Sequence, residues 1–229
     1  MRPADAPAPL LAANGLCCPR GGVPGQGVGP LHFDVHAGQL LHLRGANGSG
    51  KSSVLRMLAG LLRPMAGSLQ ALGREVFRDP SSYHARVAYL GHANALCGDL
   101  TALENLRYCL HVAGVPQSDD AIAAGLTAWR LNACLHTLAA RLSQGQARRV
   151  ALAGVMLGGK PLWLLDEPDA GLDAASLEQL WTELNAHLDD GGAAVVACHR
   201  QPATASNRLQ TLNMDDYADA GYAVSVGVA

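Results

Sequence analysis

Aromatic residues are scarce: two Phe, three Trp and five Tyr make up 4% of the 229 residues, and none precedes Phe33. Charge of one sign is also missing. Lys and Arg number 17 and Asp and Glu 19, for a net charge of -2, and no basic tract stands out. Nucleic-acid binding, which rests on neutralising phosphates with a basic patch, is therefore not expected. No apolar run approaches the roughly 18 residues of a spanning helix, so no membrane span is expected. Asp5, three prolines (Pro3, Pro7 and Pro9) and Asn14 interrupt the N-terminus, whose stretch from Ala8 to Cys18 reads as a ragged first strand and not as a secretion signal. Cys17, Cys18, Cys97, Cys109, Cys134 and Cys198 show no C-x-x-C spacing, and no C-x-x-C-H for covalent haem attachment. Reduced, mostly buried thiols in a cytosolic protein are the expectation.

What the chain does have is an apolar content of 49%, enough to build a sizeable core in one domain spanning 1–229. It also has Gly45-Ala46-Asn47-Gly48-Ser49-Gly50-Lys51-Ser52-Ser53, which contains the pattern G-x-x-x-x-G-K-S. Backbone N–H groups of such a turn wrap the phosphates of a nucleotide, and the helix that follows aims its positive end at the same anion. Lys51 supplies a point charge to the outer phosphates, and the Ser52 hydroxyl is placed for Mg²⁺. A Gly-rich linker matching by chance is the bland alternative. The strand-like Gln39–Leu43 before the loop and Leu55, Leu58 and Leu62 at helical spacing after it argue against that.

Along the chain, residues 10–44 read as short strands joined by a Gly/Pro-rich tip from Pro19 to Pro30. The helix from Lys51 is expected to stop near Arg63-Pro64, because proline disfavours helix in its predecessor. Ala85–Leu90 alternates like a strand. Thr101-x-x-Glu104 is a capping box opening a helix through Leu103, Leu106 and Leu110, and Ser118 caps a second helix, Asp119–Leu131. Gln144–Leu157 reads as helix with Val150 and Ala151 inward, Leu162–Leu165 as a buried strand, Ala174–Leu188 as an amphipathic helix and Ala193–Ala197 as another strand. Strands alternating with helices point to a parallel α/β sheet, with the helical stretch from about 97 to 143 inserted as a subdomain.

Two further patterns carry chemistry. Leu162–Leu165 runs into Asp166-Glu167, where Asp166 can enter the Mg²⁺ shell and Glu167 can polarise an attacking water. Alone this is a weak signal that reads more readily as a solvated acidic turn after a core strand; after a phosphate loop it is a strong one. Leu142-Ser143-Gln144-Gly145-Gln146 precedes a helix, and its structural role is Ser143 as N-cap. Its functional role would be an anion site at the helix N-terminus, built from Ser143, Gly145 and Gln146.

Order and spacing combine these pieces. Ser143 follows Lys51 by 92 residues, Asp166 follows Ser143 by 23, and His199 follows Asp166 by 33. Here the chain resembles the nucleotide-binding subunit of ABC transporters over roughly residues 10 to 205, through Walker A (Gly45–Ser52), the LSxGQ signature (Leu142–Gln146), Walker B (Leu162–Glu167), the D-loop (Ala170–Asp173) and the switch histidine (His199). The resemblance implies an ABC-type P-loop NTPase: a RecA-like parallel core, a small antiparallel β subdomain and a helical insert. It implies ATP and Mg²⁺ as cofactors and a head-to-tail homodimer in which Ser143 acts on the partner's nucleotide. Glu167 and His199 would hold the attacking water, and Asp173 would lie at the dimer seam.

The sequence departs from that family at two places. The Q-loop glutamine expected after Leu90 is replaced by Gly91-His92, so His92 would face the nucleotide and Mg²⁺. The aromatic ring that stacks on adenine is missing from the first 32 residues, and Arg20 could stack through its planar guanidinium instead.

Within the family, Tyr89-Leu90-Gly91-His92, Leu100–Leu106, Leu142–Ala153 and Pro161–Pro168 are similar to the CcmA-type ATPases of cytochrome c maturation. That resemblance implies a CcmB-like membrane-spanning subunit, with CcmC, CcmD and CcmE nearby, at the cytoplasmic face of a bacterial inner membrane. It also implies ATP-driven haem export or release of the haem-loaded chaperone. A subunit for another small solute, a nucleic-acid ABC ATPase and a regulatory module without turnover are the alternatives. The 92-residue interval without sustained heptads disfavours the second, and intact Glu167 and His199 disfavour the third.

Overall fold

Three strands buried on both faces set the architecture. In β3 (Leu40–Arg44), β7 (Leu162–Asp166) and β8 (Ala193–Ala197), every residue except Arg44 is buried. Leu41, Leu43, Leu162, Leu164, Ala193, Val195 and Ala197 enter one core, while Leu40, Trp163, Leu165, Ala194 and Val196 enter another on the opposite face. A sheet covered on both faces needs side chains that are apolar at both parities, so these strands read as continuous hydrophobic runs.

The computed structural model describes residues 8–19 and 27–217; Arg20, the residue expected to stack on a base, lies outside them. Five parallel strands run in the order β6 (Val87–Leu90), β7, β8, β3, β9 (Leu209–Asn213). A second, antiparallel sheet runs in the order β2 (Gly27–Val35), β1 (Leu11–Pro19), β4 (Ala66–Ala71), β5 (Arg74–Glu75). The antiparallel sheet and α1 (Lys51–Leu58) share the first core. On the other face lie α3 (Ala102–Val112), α4 (Asp119–Ala128), α5 (Gln144–Leu157) and α6 (Ala174–Asp189), with α2 (Pro80–His84) before β6. Residues 97–143 supply α3, α4 and two 3-10 turns, Asn132–Cys134 and Ala139–Arg141.

Encoded caps place the helix starts where the residues predict them. Thr101 and Glu104 form a reciprocal capping box at α3, Ser118 caps α4, and Ser143 and Gln146 form a second box at α5. Each such cap contributes about 1 kcal/mol. Helix ends are less legible. α1 stops at Leu58, short of Arg63, because Gly60 turns left-handed at φ 75°. α4 stops at Ala128, short of Leu131, with Arg130 at φ 57°. β2 begins at Gly27, inside the stretch expected to be a loop tip. Its Pro30 is exposed on the edge strand of its sheet, where a missing N–H costs little. Of the six free cysteines, Cys17, Cys18 and Cys198 are buried but Cys97 and Cys109 are exposed, so burial is less general than expected.

Trp163 and His187 stack with ring centroids 3.9 Å apart and planes 5° from parallel. Burial lowers the His187 pKa below the ordinary 6.5, and burial likewise lowers that of His42. Below about pH 6.5 the unfolded chain therefore binds more protons than the native one, and stability is lost as pH falls toward the folded values. Thermal melts should show Tm dropping between about pH 7.5 and 5.5, and His187→Phe, which keeps a ring against Trp163, should shrink that drop. A Tm insensitive to pH across this window would contradict the assignment.

Candidate functional site

Parallel strands deliver their C-terminal ends to one edge, where ligands of such sheets bind. Register aligns Leu90 with Leu165, Asp166 with Ala197, and Ala197 with Leu43. The loops that follow these residues therefore emerge side by side, and they carry His92, Glu167, His199 and the Gly45–Ser53 turn.

At the phosphate loop, α1 is entered through Gly50, left-handed at φ 99°, with no side-chain cap and no acidic residue in the first turn. Its leading N–H groups are left free for an anion. A Cβ at Gly50 would come within 2.6 Å of Val28 Cγ2, so close packing of β2 against the loop also demands glycine. Lys51 is 6% exposed and its ammonium donates to the carbonyls of Gly45 (2.8 Å) and Ala46 (2.9 Å). The Ala46 N–H donates to Asp215 Oδ1 at 3.0 Å, a contact from the far end of the chain that the loop motif does not announce.

Beside the loop, Asp166 is 2% exposed and its Oδ2 is buried without a hydrogen-bond partner. Burial raises its pKa, while a hydrogen bond from the Ser52 side chain opposes the shift. An orphaned carboxylate oxygen next to a serine hydroxyl is a donor set for a hard cation. Two protein oxygens match a Mg²⁺ that draws its other ligands from phosphate and water.

Glu167 follows with φ 48°, a left-handed conformation that favours glycine. Its carboxylate lies between two imidazoles: His92 Nδ1 is 3.4 Å from Oε2, and His199 Nε2 is 3.7 Å from Oε1. His92 thus meets the carboxylate of Glu167. Burial, reinforced by the charges of Asp169 and Glu167, pushes the neighbouring Cys198 thiol up to about 12, so it stays neutral and donates to the Arg200 carbonyl at 3.0 Å.

Ser143, Gly145 and Gln146 occupy the start of α5. Ser143 N–H donates to Gln146 Oε1 (2.8 Å), Gln146 N–H donates to Ser143 Oγ (3.2 Å), and Gln146 Nε2 reaches Cys134 Sγ (3.3 Å). Glycine is required at 145: a Cβ would stand 2.6 Å from the Gly171 carbonyl oxygen, so the helix tip is fitted to the backbone of the Ala170–Asp173 turn. Asp173 caps α6 by accepting from the Ser176 N–H at 2.8 Å, and hydrogen bonds from the Ser176 hydroxyl and then from this N–H lower its pKa.

An ABC transporter family model matches residues 28–170, well over half of the chain. The chain belongs to the ABC transporter family. The cytochrome c biogenesis ATP-binding export protein CcmA of Bordetella bronchiseptica is 53% identical over 220 residues, covering 96% of either chain. Among solved structures, an ATP-binding subunit of an ABC transporter superposes with TM-score 0.78 at 27% identity, over 90% of this chain and 86% of the other. A dimeric ATP-binding cassette in a post-hydrolysis state with ADP and Pi gives TM-score 0.75 at 19% identity, over 89% and 94%, a likeness of fold alone. As an ABC cassette this chain binds ATP, hydrolyses it and serves a membrane partner. Among the described residues, no helix of the cassette is long and apolar enough to cross a membrane itself.

Two groups of the cassette's site escape motif reading. Asp215 is one. Arg148 is the other: it is 2% exposed although charged, and it lies on the same face of α5 as the buried Ala151 and Leu152. A charge at i, i+3, i+4 spacing with an inward stripe was the available signal.

Proposed function

We propose that this chain is the ATP-hydrolysing subunit of a cytochrome c biogenesis ABC export complex, working as a head-to-tail homodimer on a CcmB-like membrane-spanning subunit. CcmC, CcmD and the haem chaperone CcmE would be nearby, at the cytoplasmic face of a bacterial inner membrane. The observation that carries the role is the 53% identity, over 96% of either chain, to a protein named for that export.

In this reading the amides of Gly45 to Ser53 wrap the phosphates and Lys51 turns its ammonium from its own carbonyls to the outer phosphates. Ser52 and Asp166 would hold Mg²⁺, which supplies charge stabilisation at the phosphates when bound. Glu167 accepts the proton of the attacking water, and His199 orients that water and the γ-phosphate. His92 supports the same carboxylate from its other side. The hydrogen bonds of Ser143 and Gln146 stay within their own helix tip and Cys134. That tip would serve the nucleotide of a second copy, so ATP would bridge two chains and its cleavage would release them.

A groove of about 450 Å³ beside the site, lined by Tyr89, Gly91, His92, Leu106, Leu110 and Val155, offers the membrane subunit access to the His92 loop. Co-expression with a CcmB-type subunit should yield a detergent-stable complex whose ATPase rate exceeds that of the cassette alone. Failure to associate with it, together with stable assembly on the membrane subunit of a transporter for another small solute, would refute the assignment of cargo system.

A further inference from the structure

A guanidinium taken out of water must be met by acceptors. Arg148 has four. Its Nη1 donates to the Gly91 carbonyl (2.9 Å) and to Asn94 Oδ1 (2.9 Å), and its Nη2 donates to the Glu167 carbonyl (2.7 Å) and to the Asp166 carbonyl. One side chain thus joins α5, the loop after β6 and the turn after β7.

That turn is where support is needed. Glu167 holds its left-handed backbone at φ 48° despite carrying a side chain, and such conformations persist only where the surroundings over-determine them. The Glu167 N–H is tied to the Ala197 carbonyl at 2.7 Å, and the Glu167 carbonyl accepts from the Ala170 N–H at 3.0 Å. Both partners belong to the adjoining strand or to the turn itself. Arg148 brings in a third bond, from another element. The loop at the other end of the guanidinium carries His92, whose ring faces the Glu167 carboxylate at 3.4 Å, and it borders the apolar groove.

We propose that Arg148 is a positioning residue of the ATPase: it locks the left-handed turn that aims Glu167 and ties that turn to the Gly91–Asn94 loop, so that displacement of the loop is felt at the base. The inference rests on Glu167 being that base. It also explains why arginine is needed. A planar fork reaches two pairs of acceptors at once, whereas a lysine ammonium presents a single centre.

The test uses the full chain with Arg148→Lys and Arg148→Met, each checked for folding by thermal melt. ATP affinity and kcat are then measured separately. Arg148→Lys should lose about tenfold or more in kcat, the scale of a misplaced reacting group, with ATP affinity within about threefold of the parent because the phosphate loop is untouched. A role in stability alone would lower Tm and leave kcat per folded molecule unchanged, and that result overturns the proposal. Should both variants fail to fold, Asn94→Ala removes one loop acceptor and spares both turn carbonyls. It should lower kcat about twofold to fivefold at constant affinity, and an unchanged kcat would break the tie between loop and base. Glu167→Gln run alongside separates the two ideas. If it stalls while Arg148→Lys turns over normally, only the positioning role falls; if it turns over at the parental rate, the base assignment falls first.

Discussion

Replacing Glu167 by glutamine should abolish turnover and leave ATP bound. Glutamine keeps the shape of the side chain and can still hydrogen-bond, but it cannot take a proton from water. A well-placed general base contributes about 10²- to 10⁴-fold, so kcat should fall by at least about 100-fold. Nucleotide affinity should hold, because the phosphate loop and Lys51 are not altered. The uncleaved triphosphate should also keep two copies together, so gel filtration with ATP should show a dimer that the parent forms only transiently. The geometry that motivates this is the carboxylate with 29% of its side-chain surface exposed, flanked by His92 at 3.4 Å and His199 at 3.7 Å. Parental hydrolysis by this variant would remove Glu167 from the mechanism.

Lys51→Ala should fail at the preceding step. Lys51 is 6% exposed, and its ammonium is held 2.8 and 2.9 Å from two loop carbonyls. Little further dehydration is needed when it turns to a phosphate. Hydrogen bonds to charged groups are worth about 1.5–3 kcal/mol, which corresponds to a loss in ATP affinity of roughly 10- to 100-fold. Turnover should fall to background. Calorimetric titration therefore distinguishes the variants: Glu167→Gln binds and stalls, whereas Lys51→Ala binds poorly. Parental affinity in Lys51→Ala would mean that the ammonium does not meet the nucleotide.

Much of this was readable from local chemistry. The Gly45–Ser53 turn is written as a motif because wrapping a phosphate requires glycines, a lysine and a hydroxyl within one turn. The starts of α3, α4 and α5 are written as caps, because the residue that satisfies a free N–H lies three positions before it. The strands β3, β7 and β8 show as apolar runs because both of their faces are covered. β4 and β9 gave no such signal. Most of their side chains remain exposed or half-buried, so their sequences, AGSLQA and LQTLN, carry little hydrophobic pattern.

By itself, then, the amino-acid sequence determined where the glycine-rich turn before α1 stands, which strands are buried on both sides and where capped helices begin, since each depends on residues a few positions apart. Only the tertiary structure decided that His92 joins His199 at the Glu167 carboxylate, that Asp215 meets the phosphate loop, and that Arg148 is buried between two loops. Those contacts follow from the strand order β6-β7-β8-β3-β9. That order is set by how helices and crossovers pack on the two faces of the sheet, a long-range balance of buried surface that no short window of residues encodes.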